Sequence, residues 1–233
     1  EATMDKKDLL AHSPVRFFDV TNATLKEGEM GLVTAQKGLG KTSVLVQFGI
    51  DSLLNDKAIV HVSFDQHSSN VITWYSSIMA EISKRKNYNL DEINDEIIRN
   101  RIILNFNQET FTLPKVVNTI KALKEGGTNI ATIIVDGLDL GKTESSDIKC
   151  FAEFISSEKM TAWFSYTSEA DQLSDTLEKT KIDSFATVAH LAASGKELAL
   201  SILKNGNGKV NLDTKSLLMT KIDSFATVAH LAA

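Results

Sequence analysis

The chain has 233 residues, 42% of them hydrophobic and 24% charged, with a formal net charge of −5. That length suits one α/β domain, and the balance is that of an ordinary soluble globular protein. No apolar run approaches the ~18 residues of a membrane span, and a single cysteine, Cys150, excludes an intrachain disulfide framework or a thiolate metal cluster.

Met30 to Thr34 reads as a short apolar strand that enters a glycine-rich loop. Thr42 to Asn55 follows as a helix, with Val44, Leu45, Phe48 and Leu53 at helical spacing and one face packed. Ala58 to Phe64 is β-branched and apolar, as in a strand buried on both faces. Asn70 to Lys84 and Asp91 to Arg99 are expected helices, the second running into a strand near Ile102 to Leu104. Pro114 stands where a helix begins, since its missing N–H is not needed there, and Gly126-Gly127 end that helix. Ile130 to Val135 is a strongly hydrophobic strand closed by Asp136-Gly137; a helix over Ser145 to Ser157 and a strand over Thr161 to Tyr166 come next. Glu169 to Lys181 is polar, a short helix or a loop. The expected last strands are Thr187 to Leu191, Glu197 to Leu203 and Val210 to Asp213, with the turn Asn205-Gly206-Asn207-Gly208 before the last.

Strands alternating with helices imply a mostly parallel twisted sheet flanked by helices, with a C-terminal antiparallel hairpin on one edge. Residues 1–219 are expected to form this single domain. Residues 220–233 are a duplicated tail: Thr180 through Ala193 recurs unchanged as Thr220 through Ala233. Repeat architectures need several diverged copies to build a core, so this pair carries no functional weight.

Ala35-Gln36-Lys37-Gly38-Leu39-Gly40-Lys41-Thr42 lies between a strand and a helix, the context that a P-loop demands. Backbone N–H groups of such a loop converge on phosphate oxygens, and the helix N-terminus adds partial positive charge. Gly38 and Gly40 have no Cβ to obstruct that approach. Lys41 would reach the β and γ phosphates of ATP, and the Thr42 hydroxyl would hold Mg²⁺. Lys37, Gly38, Leu39, Gly40, Lys41, Thr42 and Ser43 are the expected nucleotide-binding set. Ala35 replaces the usual leading glycine, a mild change if the backbone there keeps φ below zero. The plain alternative is a strand-to-helix turn with a chance Gly-Lys-Thr.

Ile133-Ile134-Val135-Asp136 has the form of a Walker B strand, whose terminal carboxylate reaches the Mg²⁺ shell. Strand-end Asp before Gly is otherwise a common turn. Asp65, ending the preceding strand, is placed to orient an attacking water, or else to cap a helix. Asp139 reads as solvated. His61 and His67 lack metal-ligand spacing and read as structural or exposed.

These residues resemble the RecA-like ATPases, in particular the KaiC-like, RadA-like and replicative-helicase branches, from about Phe17 to Leu212. Phe18-Asp19-Val20 and Leu25 to Glu29 are similar to that family's lead-in to its first strand. Val62 to Asp65 resembles the strand ending in the catalytic glutamate, and Phe164 to Thr167 the strand whose polar end senses the γ-phosphate. Leu203 to Gly208 is similar to the hairpin whose lysine and arginine reach a neighbouring subunit's ATP. The resemblance implies ATP and Mg²⁺ as cofactors, catalytic roles for Lys41, Asp65 and Lys204, and a homo-oligomer, ring or filament; the single Cys150 fits a cytoplasmic location. Two departures point to weak hydrolysis: Asp65 is one methylene shorter than glutamate, and Gly206 stands where the arginine finger is expected.

The lysine-led loop from Lys37 also resembles that of the ParA/MinD partitioning ATPases, where Lys37 would cross a dimer interface. The lead-in segment and the Lys204 hairpin favour the RecA-like resemblance. A KaiC-like assembly or regulatory ATPase is the expected function, with a DNA-acting recombinase or helicase as the alternative. The net negative charge does not announce nucleic acid, and the segment from Glu169 to Lys181 sets four carboxylates against two lysines. No membrane partner is expected. A relic that kept the fold without the nucleotide is opposed by the intact Lys41 and Thr42.

Overall fold

A computed structural model describes residues 2–64, 66–84, 88, 90–169 and 172–221. Two short helices, α1 (Ala2–Ala11) and α2 (Val15–Asp19), lead into β1 (Met30–Ala35) and then α3 (Lys41–Leu54). Next come β2 (Ala58–Phe64), α4 (Ser68–Lys84), α5 (Asp91–Asn100), β3 (Arg101–Phe106) and α6 (Leu113–Glu125). The chain continues through β4 (Ile130–Asp136), α7 (Ser145–Ser157), β5 (Thr161–Thr167), α8 (Lys179–Ile182), β6 (Thr187–Ser194), β7 (Glu197–Lys204) and β8 (Lys209–Leu212). From β1 onward, expected and observed elements agree to within a few residues, whereas α1 and α2 were not among the expected elements. The polar stretch after Thr167 includes a 3₁₀ turn, Leu173–Asp175, before α8.

Among the described residues, eight strands form one sheet in the order β3-β2-β4-β5-β1-β6-β7-β8. β3 through β6 are parallel neighbours, whereas β7 and β8 add antiparallel strands at one edge. Parallel strands need crossovers, and helices supply them on both faces. One face packs under α1 to α5 through residues such as Phe18, Leu45, Ile50, Tyr75 and Ile97. The other packs under α6 and α7 through Val116, Ile120, Phe151 and Phe164. β2 is buried along its whole length, as its continuous apolar run requires.

α3 departs from the expected one-sided packing. Ser43 through Ile50 are all buried, because α1, α2, α4 and the segment around Leu217 to Met219 close over the side facing away from the sheet. Gln47 ties that segment down. Its amide donates to Ser43 O at 3.1 Å and to Leu217 O at 2.9 Å, and its carbonyl accepts from Met219 N at 2.8 Å. On the sheet side, the Trp163 ring stacks on Phe48 at 4.3 Å between centroids. It can lie across β1 only because residue 31 is glycine: a Cβ there would sit 2.3 Å from the ring.

From β1 the chain crosses by α3 toward β2, whereas from β5 it crosses to β6 on the opposite side of β1. Neighbouring strands whose connections diverge open a crevice at their C-terminal ends, the usual binding position in sheets of this kind. The loop Gln36 to Gly40 lies at that crevice. Among the described residues no helix is long and apolar enough to cross a membrane.

Candidate functional site

Alternation along a strand sends every second side chain to the same face. On the face toward α3, that rule places apolar residues deep in the sheet and polar ones at the C-terminal ends. His61 and Ser63 on β2 follow Ile59, Asp136 on β4 follows Ile134, and Ser165 on β5 follows Trp163. Ser63 and Asp136 are register partners. The N-terminus of α3 and its preceding loop meet this polar rim.

Gly38 and Gly40 hold φ of 81° and 110°, left-handed values that side chains disfavour. Ala35 is not among the positive-φ residues, so its methyl is tolerated. Gly40 occupies the N-cap position of α3 without any side-chain cap. The Ser43 hydroxyl donates to Gly40 O at 2.6 Å, bracing the first turn from within. A long helix with an uncapped N-terminus presents N–H groups and partial positive charge to an anion. Leu39 packs against the core, and Lys37 extends outward while its backbone N–H donates to Glu169 Oε1 at 3.4 Å.

Lys41 curls over the loop, its ammonium 3.5 Å from Ala35 O and 3.4 Å from Gln36 O. Burial pushes its pKa down against the opposing pull of Asp136 and Glu169. Half-buried, with only long contacts to carbonyls, this ammonium is electrostatically underserved.

Asp136 is 4% exposed and holds the centre. Its Oδ2 accepts from Thr42 Oγ1 at 2.8 Å and its Oδ1 from Ser165 Oγ at 2.6 Å. Ser165 Oγ in turn accepts from Gly137 N at 2.9 Å, fixing the turn after β4. Burial favours the neutral acid here, but the adjacent His61 imidazole and the two hydroxyls outweigh it. The carboxyl is therefore held below its ordinary range and stays ionised.

His61 is fully buried, with Nδ1 2.9 Å from Tyr75 Oη and Nε2 3.8 Å from Asp136 Oδ2. The second distance exceeds a hydrogen bond, and Nε2 has no other partner among the described residues. Ser63 Oγ, buried on the same face, is likewise unpartnered. An unsatisfied buried polar group costs about 1–3 kcal/mol, and two beside one ionised carboxylate call for an explanation.

The structure thus brings together Gly38, Gly40, Lys41, Thr42, Ser43 and Asp136. Lys204 is not part of this cluster: its ammonium donates to Phe185 O at 2.6 Å within its own chain. Asp65 lies outside the described residues. His61 is structural, as its spacing implies, but the sequence alone does not place it beside Asp136. Its spacing matches no ligand motif, and the signal that could have found it is its parity with Ser63 and Asp136 on neighbouring strand ends. His67, by contrast, is exposed as expected.

Thr42 and Asp136 fit a hard divalent cation: both offer oxygen, one is ionised, and unpartnered polar atoms flank them. Two protein ligands suit Mg²⁺, which retains waters and takes its remaining partners from phosphate oxygens. No cluster of three or more His, Cys, Asp or Glu that could hold a metal by itself occurs among the described residues. No family model matches the chain, and no curated protein is significantly similar to it.

Proposed function

We propose that the chain is a RecA-like P-loop protein that binds ATP with Mg²⁺ at the start of α3, with nucleotide governing how subunits assemble. The observation that carries this reading is the 2.8 Å bond from Thr42 to Asp136, which joins the first turn of the loop helix to a buried strand-end carboxylate. A left-handed Gly40 at an uncapped helix start and a half-buried Lys41 lying over the loop support the same reading.

The loop amides and Lys41 bind the phosphates; Thr42 and Asp136 hold the cation; Ser165, at the end of β5, orients Asp136. Bound Mg²⁺ would offset phosphate charge. Weak turnover follows from the hairpin. A Cβ at position 206 would lie 2.8 Å from Thr21 O and 3.0 Å from the Ala23 methyl, so the turn that would carry an arginine finger leaves no room for its side chain. ATP here is a ligand that changes contacts more than a fuel. The KaiC-like reading is preferred to a DNA motor on the acidic Glu169 to Lys181 segment.

The test is titration with fluorescent ATP, together with sizing with and without nucleotide, for the native chain and Lys41→Ala. Binding and a nucleotide-dependent size change, both lost in the variant, support the proposal. Equal behaviour of the two chains overturns it.

A further inference from the structure

The buried pair His61 and Tyr75 has no part in the proposed function, yet it leads from α4 to the carboxylate at the centre of the site. We propose that His61, locked in one tautomer by Tyr75, is a positioning residue that fixes Asp136 for divalent-cation binding. The inference rests on the reading of Asp136 as a cation ligand and adds to it a residue that touches neither nucleotide nor metal.

The geometry selects the tautomer. Tyr75 Oη lies 2.9 Å from His61 Nδ1, and Tyr75 is itself fully enclosed, its hydroxyl held neutral by burial. If the hydroxyl donates to Nδ1, the ring proton sits on Nε2 and faces Asp136. The other tautomer would aim a lone pair at an ionised carboxylate 3.8 Å away, which is repulsive. The tyrosine therefore turns the imidazole into a fixed donor dipole directed at Oδ2, the same oxygen that accepts from Thr42. Ring orientation is over-determined: Tyr75 packs edge-on to the imidazole, with centroids 5.5 Å apart, and the Arg101 guanidinium covers the Tyr75 ring at 4.9 Å.

The sequence makes room for this arrangement at one place. Residue 49 on α3 is glycine, and a Cβ there would stand 2.6 Å from Tyr75 Oη and 2.9 Å from the Ile134 side chain. A helix-interior glycine costs about 1 kcal/mol against alanine. Here it admits the tyrosine hydroxyl between α3 and the sheet. Groups that orient metal-bound carboxylates from behind typically control metal affinity.

The experiment is a Mg²⁺ titration at fixed, subsaturating ATP, read by fluorescent-nucleotide binding, alongside ATP binding in chelator. His61→Gln keeps an N–H near the Nε2 position, whereas His61→Asn is too short to reach it. The expected result is a Mg²⁺ midpoint raised roughly tenfold or more in His61→Asn, near native in His61→Gln, and intermediate in Tyr75→Phe. Binding in chelator stays unchanged in all three. Equal midpoints for His61→Asn and His61→Gln, with only melting temperature altered, would overturn the positioning role while leaving the nucleotide site intact. A native chain that binds no ATP with Mg²⁺ would overturn both.

Discussion

Thr42 and Asp136 lie 94 positions apart in the chain and meet at 2.8 Å, hydroxyl to carboxylate. Neither residue is unusual in its own element. Together they place a helix N-terminus, an ammonium and an ionised oxygen around one point, and the consequences can be measured.

Lys41→Met should raise the melting temperature of the nucleotide-free protein while abolishing ATP binding. Burial holds the Lys41 pKa below the ordinary lysine value, so the folded state binds this proton less tightly than the unfolded chain. The resulting cost is present in full at neutral pH. It fades as pH rises through the lowered folded value toward the ordinary one. Thermal unfolding across alkaline pH should show the native chain narrowing the gap to Lys41→Met; a variant no more stable than native at pH 7 would refute this trade of stability for function.

Asp136→Asn should flatten the acid limb of the stability profile. The folded carboxyl is held below its unfolded value, so its contribution is complete above the unfolded pKa and is lost as pH falls through the folded one. Chemical denaturation between pH 7 and the acid range should show a smaller loss for the variant. Its Mg²⁺ dependence of nucleotide binding should disappear as well.

Ser165→Ala removes one hydroxyl that serves both Asp136 and Gly137 N. A cost of about 1–3 kcal/mol in denaturant-derived stability is expected, since Gly137 N–H loses its acceptor and Asp136 one donor. A cost below about 0.5 kcal/mol would mean that water replaces the hydroxyl without loss.

Gly206→Arg should not restore an arginine finger. A Cβ at 206 meets Thr21 O at 2.8 Å and Ala23 at 3.0 Å, so the hairpin must shift to accept any side chain. Phosphate release should stay at the native level while the melting temperature falls. A large gain in turnover would show that the turn adapts and that the missing guanidinium alone limited hydrolysis.

Elements with strong local signals were legible in the sequence. The β-branched run of β2, Pro114 at the start of α6 and the Gly-Lys-Thr at the start of α3 each carry their own physics. What could not be read depends on chain segments remote in sequence. α3 has a stripe of apolar residues that predicts one packed face, yet Gln47 is buried because Leu217 and Met219 return from the far end of the chain to bond it. His61, like Ser63, is a polar residue in an otherwise apolar strand, and only the β2–β4 register brings it beside Asp136. Lys181 reads as the end of a polar helix or loop but is buried, its ammonium donating to Leu140 O and Gly141 O.

The most direct test is a crystal structure with a non-hydrolysable ATP analogue and Mg²⁺. Triphosphate density against the amides of Gly38 to Thr42, with a cation beside Thr42 Oγ1 and Asp136, is the predicted result. Solvent alone at the start of α3, under conditions that saturate any ATP site, would contradict the account.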